Sequence, residues 1–118
     1  MAYDEHLADR IRQQLAQRHQ PYQEKRMMGG LCFLVDDKMC MGVSEDRLMA
    51  RADPEDYARL LTLPGARPMD FTGRPLKGFL FVEPEGLDRD QDLSAWVQCC
   101  LDFNPRAKRS ARRRTKPS

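Results

Sequence analysis

The 118-residue sequence predicts an α+β domain in two layers, an antiparallel sheet with helices in the order helix, three strands, helix, two strands, helix. Three observations predict it. Apolar residues recur at helical spacing near both ends of the chain. A block from residue 25 to 52 is apolar at most positions and is broken by two acidic pairs, and Asp53-Pro54-Glu55-Asp56 separates it from a second strand-like pair. With 41% hydrophobic residues, one core is expected to hold without staples.

Residues 3–19 place Leu7, Ala8, Ile11 and Leu15 on one stripe at about 100° per residue, which predicts an amphipathic helix. It should end at His19-Gln20-Pro21, because proline disfavours helical geometry in the residue before it. Arg26-Met27-Met28-Gly29-Gly30 then runs into Leu31-Cys32-Phe33-Leu34-Val35, where a polar helical segment gives way to β-structure. Adjacent glycines are costly to order, so Gly29 and Gly30 predict a kinked strand start with a bulge, a positive φ or a close backbone approach. A phosphate-cradling loop is the competing reading. It lacks Gly-x-Gly-x-x-Gly and Gly-Lys-Ser/Thr spacing, and a strand rather than a helix follows.

Residues 25–52 read as a three-stranded meander turning at Asp36-Asp37 and Glu45-Asp46. If both turns have two residues, Cys32 lies opposite Met41, Phe33 opposite Cys40, Leu34 opposite Met39, Val43 opposite Leu48 and Met41 opposite Ala50. Cys32 and Cys40 then point to opposite faces and should not bridge. Both faces are apolar, so each needs a cover: a helix on each side, or a second copy of the chain. A homodimer is expected, covering the face with Phe33, Val35 and Met49.

Asp53-Pro54-Glu55-Asp56 combines an N-cap aspartate, proline at the first helical position and acids in the first turn. The helix it starts carries Tyr57, Leu60 and Leu61 and stops at Leu63-Pro64-Gly65. Pro68-Met69-Asp70-Phe71 and Lys77-Gly78-Phe79-Leu80-Phe81-Val82 read as strands joined through Thr72-Gly73-Arg74-Pro75 and ended by Pro84-Glu85-Gly86. Asp88 or Asp90 should cap the last helix, where Leu93, Trp96, Val97, Cys100 and Leu101 form one stripe and Cys99 falls roughly 80° off it.

Charge divides the chain. Residues 105–118 hold Arg106, Lys108, Arg109, Arg112, Arg113, Arg114 and Lys116 without an acid, so the overall +2 leaves −5 for residues 1–104. A folded domain over 1–104 and a basic, solvated, disordered tail over 105–118 are expected. If nucleic acid binds, those seven cations would supply phosphate-directed affinity, since no base-reading element is evident.

Little in the sequence suggests chemistry. Asp36/Asp37, Glu45/Asp46 and Glu55/Asp56 occupy turns or a helix start, where solvated and capping carboxylates are ordinary. His6 and His19 read as surface or cap residues far in sequence from any cysteine, and the seven methionines as pliable filling. The four cysteines have no Cys-x-x-Cys spacing, so reduced thiols are expected. No catalytic residue, cofactor or metal site is expected. Neither a secretory leader nor a membrane span is expected, which makes cytoplasmic localisation the default.

Lys25-Arg26-Met27-Met28-Gly29-Gly30, the hairpin from Phe33 to Met39, Leu48 to Asp53 leading into Pro54-Glu55, and Pro68-Met69 before Lys77-Gly78-Phe79 together resemble the N-terminal domain of the TfoX/Sxy family of competence regulators. The resemblance spans about residues 5–103, with Asp37 where the family usually has glycine. It implies a two-layer fold similar to type III secretion chaperones, which are commonly dimeric. Full-length regulators of the family act with a cyclic-AMP-responsive activator at competence promoters and carry a second, helical domain. Here the basic tail takes that place, so a stand-alone N-terminal domain is expected. The family offers no catalytic residues. The expected function is therefore non-enzymatic, a regulatory or protein-interaction domain linked to transcription or competence. The alternative is a small nucleic-acid-associated protein using its tail.

Overall fold

The computed structural model describes residues 3–27, 29–69 and 78–107. Helix α1 (Glu5–Gln17) leads into β1 (Gln23–Met27), β2 (Gly30–Val35), β3 (Lys38–Ser44) and β4 (Arg47–Arg51). A 3₁₀ turn (Pro54–Asp56) opens the single-turn α2 (Tyr57–Leu60), then β5 (Ala66–Pro68) and β6 (Phe79–Val82) pair. A 3₁₀ turn (Pro84–Gly86) precedes α3 (Asp90–Phe103), and another (Asn104–Arg106) follows it. The strands form one antiparallel sheet in the order β1-β2-β3-β4-β6-β5.

The α+β class and the helix–strands–helix–strands–helix order stand, with one strand more than expected. Gln23–Met27 forms β1 rather than continuing a polar helix, pairing Met27 with Gly30 and Arg26 with Leu31. Gly29 thus lies in the turn of the β1–β2 hairpin, and Gly30 opens β2. Gly29 has φ +75°, and a Cβ on Gly30 would lie 2.0 Å from the Val43 carbonyl oxygen, so both glycine explanations apply, one to each residue.

Asp36 and Asp37 both adopt positive φ, 56° and 64°, as a two-residue hairpin with right-handed strand twist requires. Leu34 pairs with Met39, Val43 with Leu48 and Met41 with Ala50 as the turn arithmetic demands. Cys32 and Phe33 depart from it. They pair with Gly42 and Met41, because the register shifts between Phe33 and Leu34 and leaves Cys40 as an extra residue on β3. Cys40 joins the helix side of the sheet while Cys32 lies in the cluster on the other side, so the two do point to opposite faces, and none of the four cysteines forms a disulfide.

One face packs Ile11 and Leu15 of α1 and Leu93, Trp96, Val97 and Cys100 of α3 on Phe33, Met41, Val43, Leu48, Leu80 and Val82. Arginines lock the helices together: Arg10 donates to the Leu87 carbonyl at 2.7 Å, and Arg18 to the Ser94 hydroxyl at 2.9 Å. The opposite face gathers Cys32, Met39, Met49, Met69 and Phe81, each buried, with Arg47 lying 3.9 Å over the Phe81 ring and Arg51 5.3 Å over Phe79. No described helix covers it. Phe33 and Val35 lie beneath the helices and Met49 is buried on the far side, so the three residues expected on one face do not share one.

Two boundaries also move. β5 begins at Ala66 rather than Pro68, while Asp70, Phe71, Thr72, Gly73, Arg74, Pro75 and Lys77 lie outside the described residues. Arg89, not Asp88 or Asp90, occupies the N-cap of α3 and makes no side-chain cap bond, and Asp90 instead accepts from Arg10. Asp53 does cap the helix start, accepting from the Glu55 N–H at 2.9 Å. Asp4 caps α1 in the same way, accepting from His6 and Leu7. No described helix is long and apolar enough to cross a membrane.

Trp96 is 5% exposed on the buried side of α3. Trp96→Ala should cost about 3–5 kcal/mol, a large part of the ~5–15 kcal/mol that holds a small domain folded. Denaturant titration of the variant checks this, and a midpoint near the parent's would place the indole outside the core.

Candidate interaction surfaces

The end of α3 is held by two cations, Lys38 at the start of β3 and Arg106, which sequence reading assigned to the tail. Lys38, only 8% exposed at the start of β3, donates its Nζ to the carbonyls of Asn104 at 3.2 Å and Pro105 at 3.4 Å. A cation there satisfies carbonyls that a helix end leaves without partners. Asn104 is buried and donates Nδ2 to the Val35 carbonyl at 3.1 Å, so the tip of the β2–β3 hairpin grips the chain just past α3. Arg106 pairs with Asp53 and lies 5.2 Å over the Phe103 ring. Asp53 is held below the usual carboxylate range, first by the Glu55 N–H and then by Arg106. The ordered body thus continues through Ala107, which is buried. Of the seven cations assigned to nucleic acid, Arg106 belongs to this junction, and Lys108, Arg109, Arg112, Arg113, Arg114 and Lys116 lie outside the described residues.

Near Arg106 a cleft of about 320 Å³ is lined by Arg51, Phe79 and Phe103 with Pro54 and Gly78. At the other end of the helical layer, Asp4, Asp46, Asp88 and Asp90 surround an open recess of about 440 Å³ with His6 and Arg10 on its wall. His6 is exposed there, and His19 is exposed just beyond α1 with φ 54°. Among the described residues no three histidine, cysteine or acidic side chains converge as a metal cluster. The acidic pairs sit where turns and caps need them: Asp36, Asp37 and Glu45 at positive φ, Glu55 and Asp56 in the 3₁₀ turn.

The motif residues divide similarly. Gly29 and Gly30 shape the β1–β2 hairpin, Trp96 belongs to the core, and Met28 lies outside the described residues. Lys25 and Arg26 stand exposed on β1, which is an edge of the sheet. Sequence reading took this segment as the polar approach to the glycines. Four consecutive polar residues, Gln23 to Arg26, have no apolar face to reveal a strand.

The thiols are core groups. Burial pushes Cys32 up to about 11 and Cys40 up to about 12, the latter opposed by Arg51, and it raises Cys100 well above the ordinary value. Cys99, half-buried beside Phe103, is raised by burial and then by Asp56. None of these settings favours a thiolate at neutral pH. The sign for stability follows. A buried thiol that stays protonated in the fold but ionises near 9.0 in the open chain contributes fully below that pH, and its contribution is lost as pH rises through about 11 and 12. Denaturant midpoints should therefore fall on the alkaline side of pH 9. Cys40→Val should make that fall shallower, and an unchanged slope would show that other groups govern it.

The family model of the TfoX N-terminal domain matches residues 13–104. No curated protein and no solved structure matches the chain.

Proposed function

Because the chain belongs to the TfoX N-terminal domain family, we propose that it is a non-enzymatic regulatory domain that works by contacting other proteins in transcription or competence control. The family match over residues 13–104 carries the reading, since it takes in the whole sheet and both layers. The geometry supports it. Cysteines fill the core, acidic pairs form turns and caps, and cations hold helices and the chain end, so the side chains usual in catalysis serve structure. What solvent meets is charge, with the aspartate-lined recess between α1 and α3 as a surface suited to a basic segment of a partner. Four free thiols suit the reducing cytoplasm as the compartment.

Affinity capture with the full chain and with residues 105–118 removed tests this reading. The body should retain its protein partner when the tail is gone, and Asp88→Lys with Asp90→Lys should weaken that capture if the recess is used. A partner that is lost with the tail and indifferent to the recess would overturn the reading.

A second reading rests on the acid-free stretch beyond residue 104. Arg106 is already paired with Asp53, which leaves six cations for phosphate contacts. The slope of log affinity against log salt on duplex DNA should then be no steeper than about −5, with little preference among sequences. Steeper or sequence-selective binding would place the site on the folded body.

A further inference from the structure

The sheet has two edges, and they are not alike. β5 has three residues and ends in Pro68, which cannot donate a ladder hydrogen bond, so that edge is blunted. β1 has five residues and no proline, and Gln23, Glu24, Lys25 and Arg26 are all exposed along it. Edge charge of a single sign would repel a second strand, but Glu24-Lys25-Arg26 carries both signs in a symmetric arrangement.

We propose that two copies of the chain associate through β1, antiparallel about a twofold axis at Lys25, so that one sheet continues across the dimer. Residues facing each other across such an axis lie on the same face of the sheet. Glu24 pairs with Phe33 and Arg26 with Leu31, so both stand on the α1 side, whereas Lys25 pairs with Cys32 on the other. An axis at Glu24 would set this carboxylate against its own copy, and an axis at Arg26 would do the same to the guanidinium. Only the axis at Lys25 puts Glu24 opposite the partner's Arg26 twice, leaving one lysine pair on the opposite face, free to turn into water.

Backbone parity agrees. A two-residue turn closes on a hydrogen-bonded pair, here Met27 with Gly30, and successive residues of an antiparallel strand bond to alternate sides. Lys25 therefore bonds to β2, while Glu24 and Arg26 present their N–H and C=O groups outward. At this register each Glu24 exchanges both backbone bonds with the partner's Arg26. The Glu24 carboxylate is already fixed at the edge by Arg12, whose Nε donates at 2.7 Å and Nη2 at 3.0 Å, so it is oriented before the second copy arrives.

Light scattering on the full chain from micromolar to millimolar concentration should show a monomer–dimer equilibrium that weakens with salt. Glu24→Lys makes the edge wholly basic, and Arg26→Glu puts acids at both positions that face each other across the axis. Each variant should self-associate about tenfold or more weakly, because two cross-strand pairs turn repulsive. Mixing the two variants should restore association as a one-to-one heterodimer, since each edge then meets its opposite. Circular dichroism confirms that both remain folded. A parent chain monomeric throughout, or a dimer indifferent to both substitutions and unrestored by mixing, would overturn the proposal.

Discussion

The packing of α1 and α3 on one face of the sheet is the interaction on which the rest depends. Ile11, Leu15, Leu93 and Val97 are fully buried against Phe33, Met41, Val43 and Leu48, and burying such side chains contributes roughly 1.5–3 kcal/mol apiece. This demand explains the irregularity in β3. With tight turns at Asp36-Asp37 and Glu45-Asp46 and no extra residue, Phe33 and Val35 would share a face with Gly42 and Arg51, and Met41, Val43 and Leu48 would lie on the other. The extra residue at Cys40 moves Phe33 into line with Met41, so the large residues of β2, β3 and β4 collect under the helices. A register shift of one residue flips every side chain beyond it, and here the flip improves the core.

The far face follows from the same division. With Phe33, Met41, Val43 and Leu48 on the helix side, the opposite face holds Cys32, Met39 and Met49, joined by Met69 and Phe81 and flanked by Leu34 and Phe79. Methionine is unbranched and adapts to irregular surroundings, which suits a cluster that no described helix covers. Arg47 and Arg51 lay their guanidinium groups over Phe81 and Phe79, covering apolar rings with cations whose stems are themselves apolar. Desolvation there lowers the Arg51 pKa.

Periodicity made the helices legible: Leu7, Ile11 and Leu15, then Leu93, Trp96, Val97 and Cys100, sit where a 3.6-residue repeat puts them. Turn chemistry made the Asp36-Asp37 hairpin and the Asp53 cap legible as well. The β1 strand was not, because Gln23, Glu24, Lys25 and Arg26 are all exposed and four exposed polar residues in a row leave no alternation to read. The bulge was hidden for a different reason. It is set by what the helices need beneath them, a long-range requirement to which local spacing is blind. The surfaces were less legible than the fold, since Lys38 and Arg106 reveal their roles only when Asn104 and Asp53 are brought beside them.

That last pair shows why a count of charges overstates what a chain presents to its surroundings. Seven cations follow Asn104 in the sequence, yet Arg106 is held by Asp53 and stacked on Phe103. Lys38, just past the Asp36-Asp37 turn, is nearly buried and binds the carbonyls of Asn104 and Pro105. Both cations act at the same place, the exit of α3, where the backbone carbonyls accumulate negative charge. Asn104 completes the junction by bonding to Val35, so the strand ahead of the Asp36-Asp37 turn and the start of its partner strand both hold the residues just past α3. Arg106 therefore counts toward the fold, and the other six basic residues after Asn104 lie beyond Ala107 in the sequence.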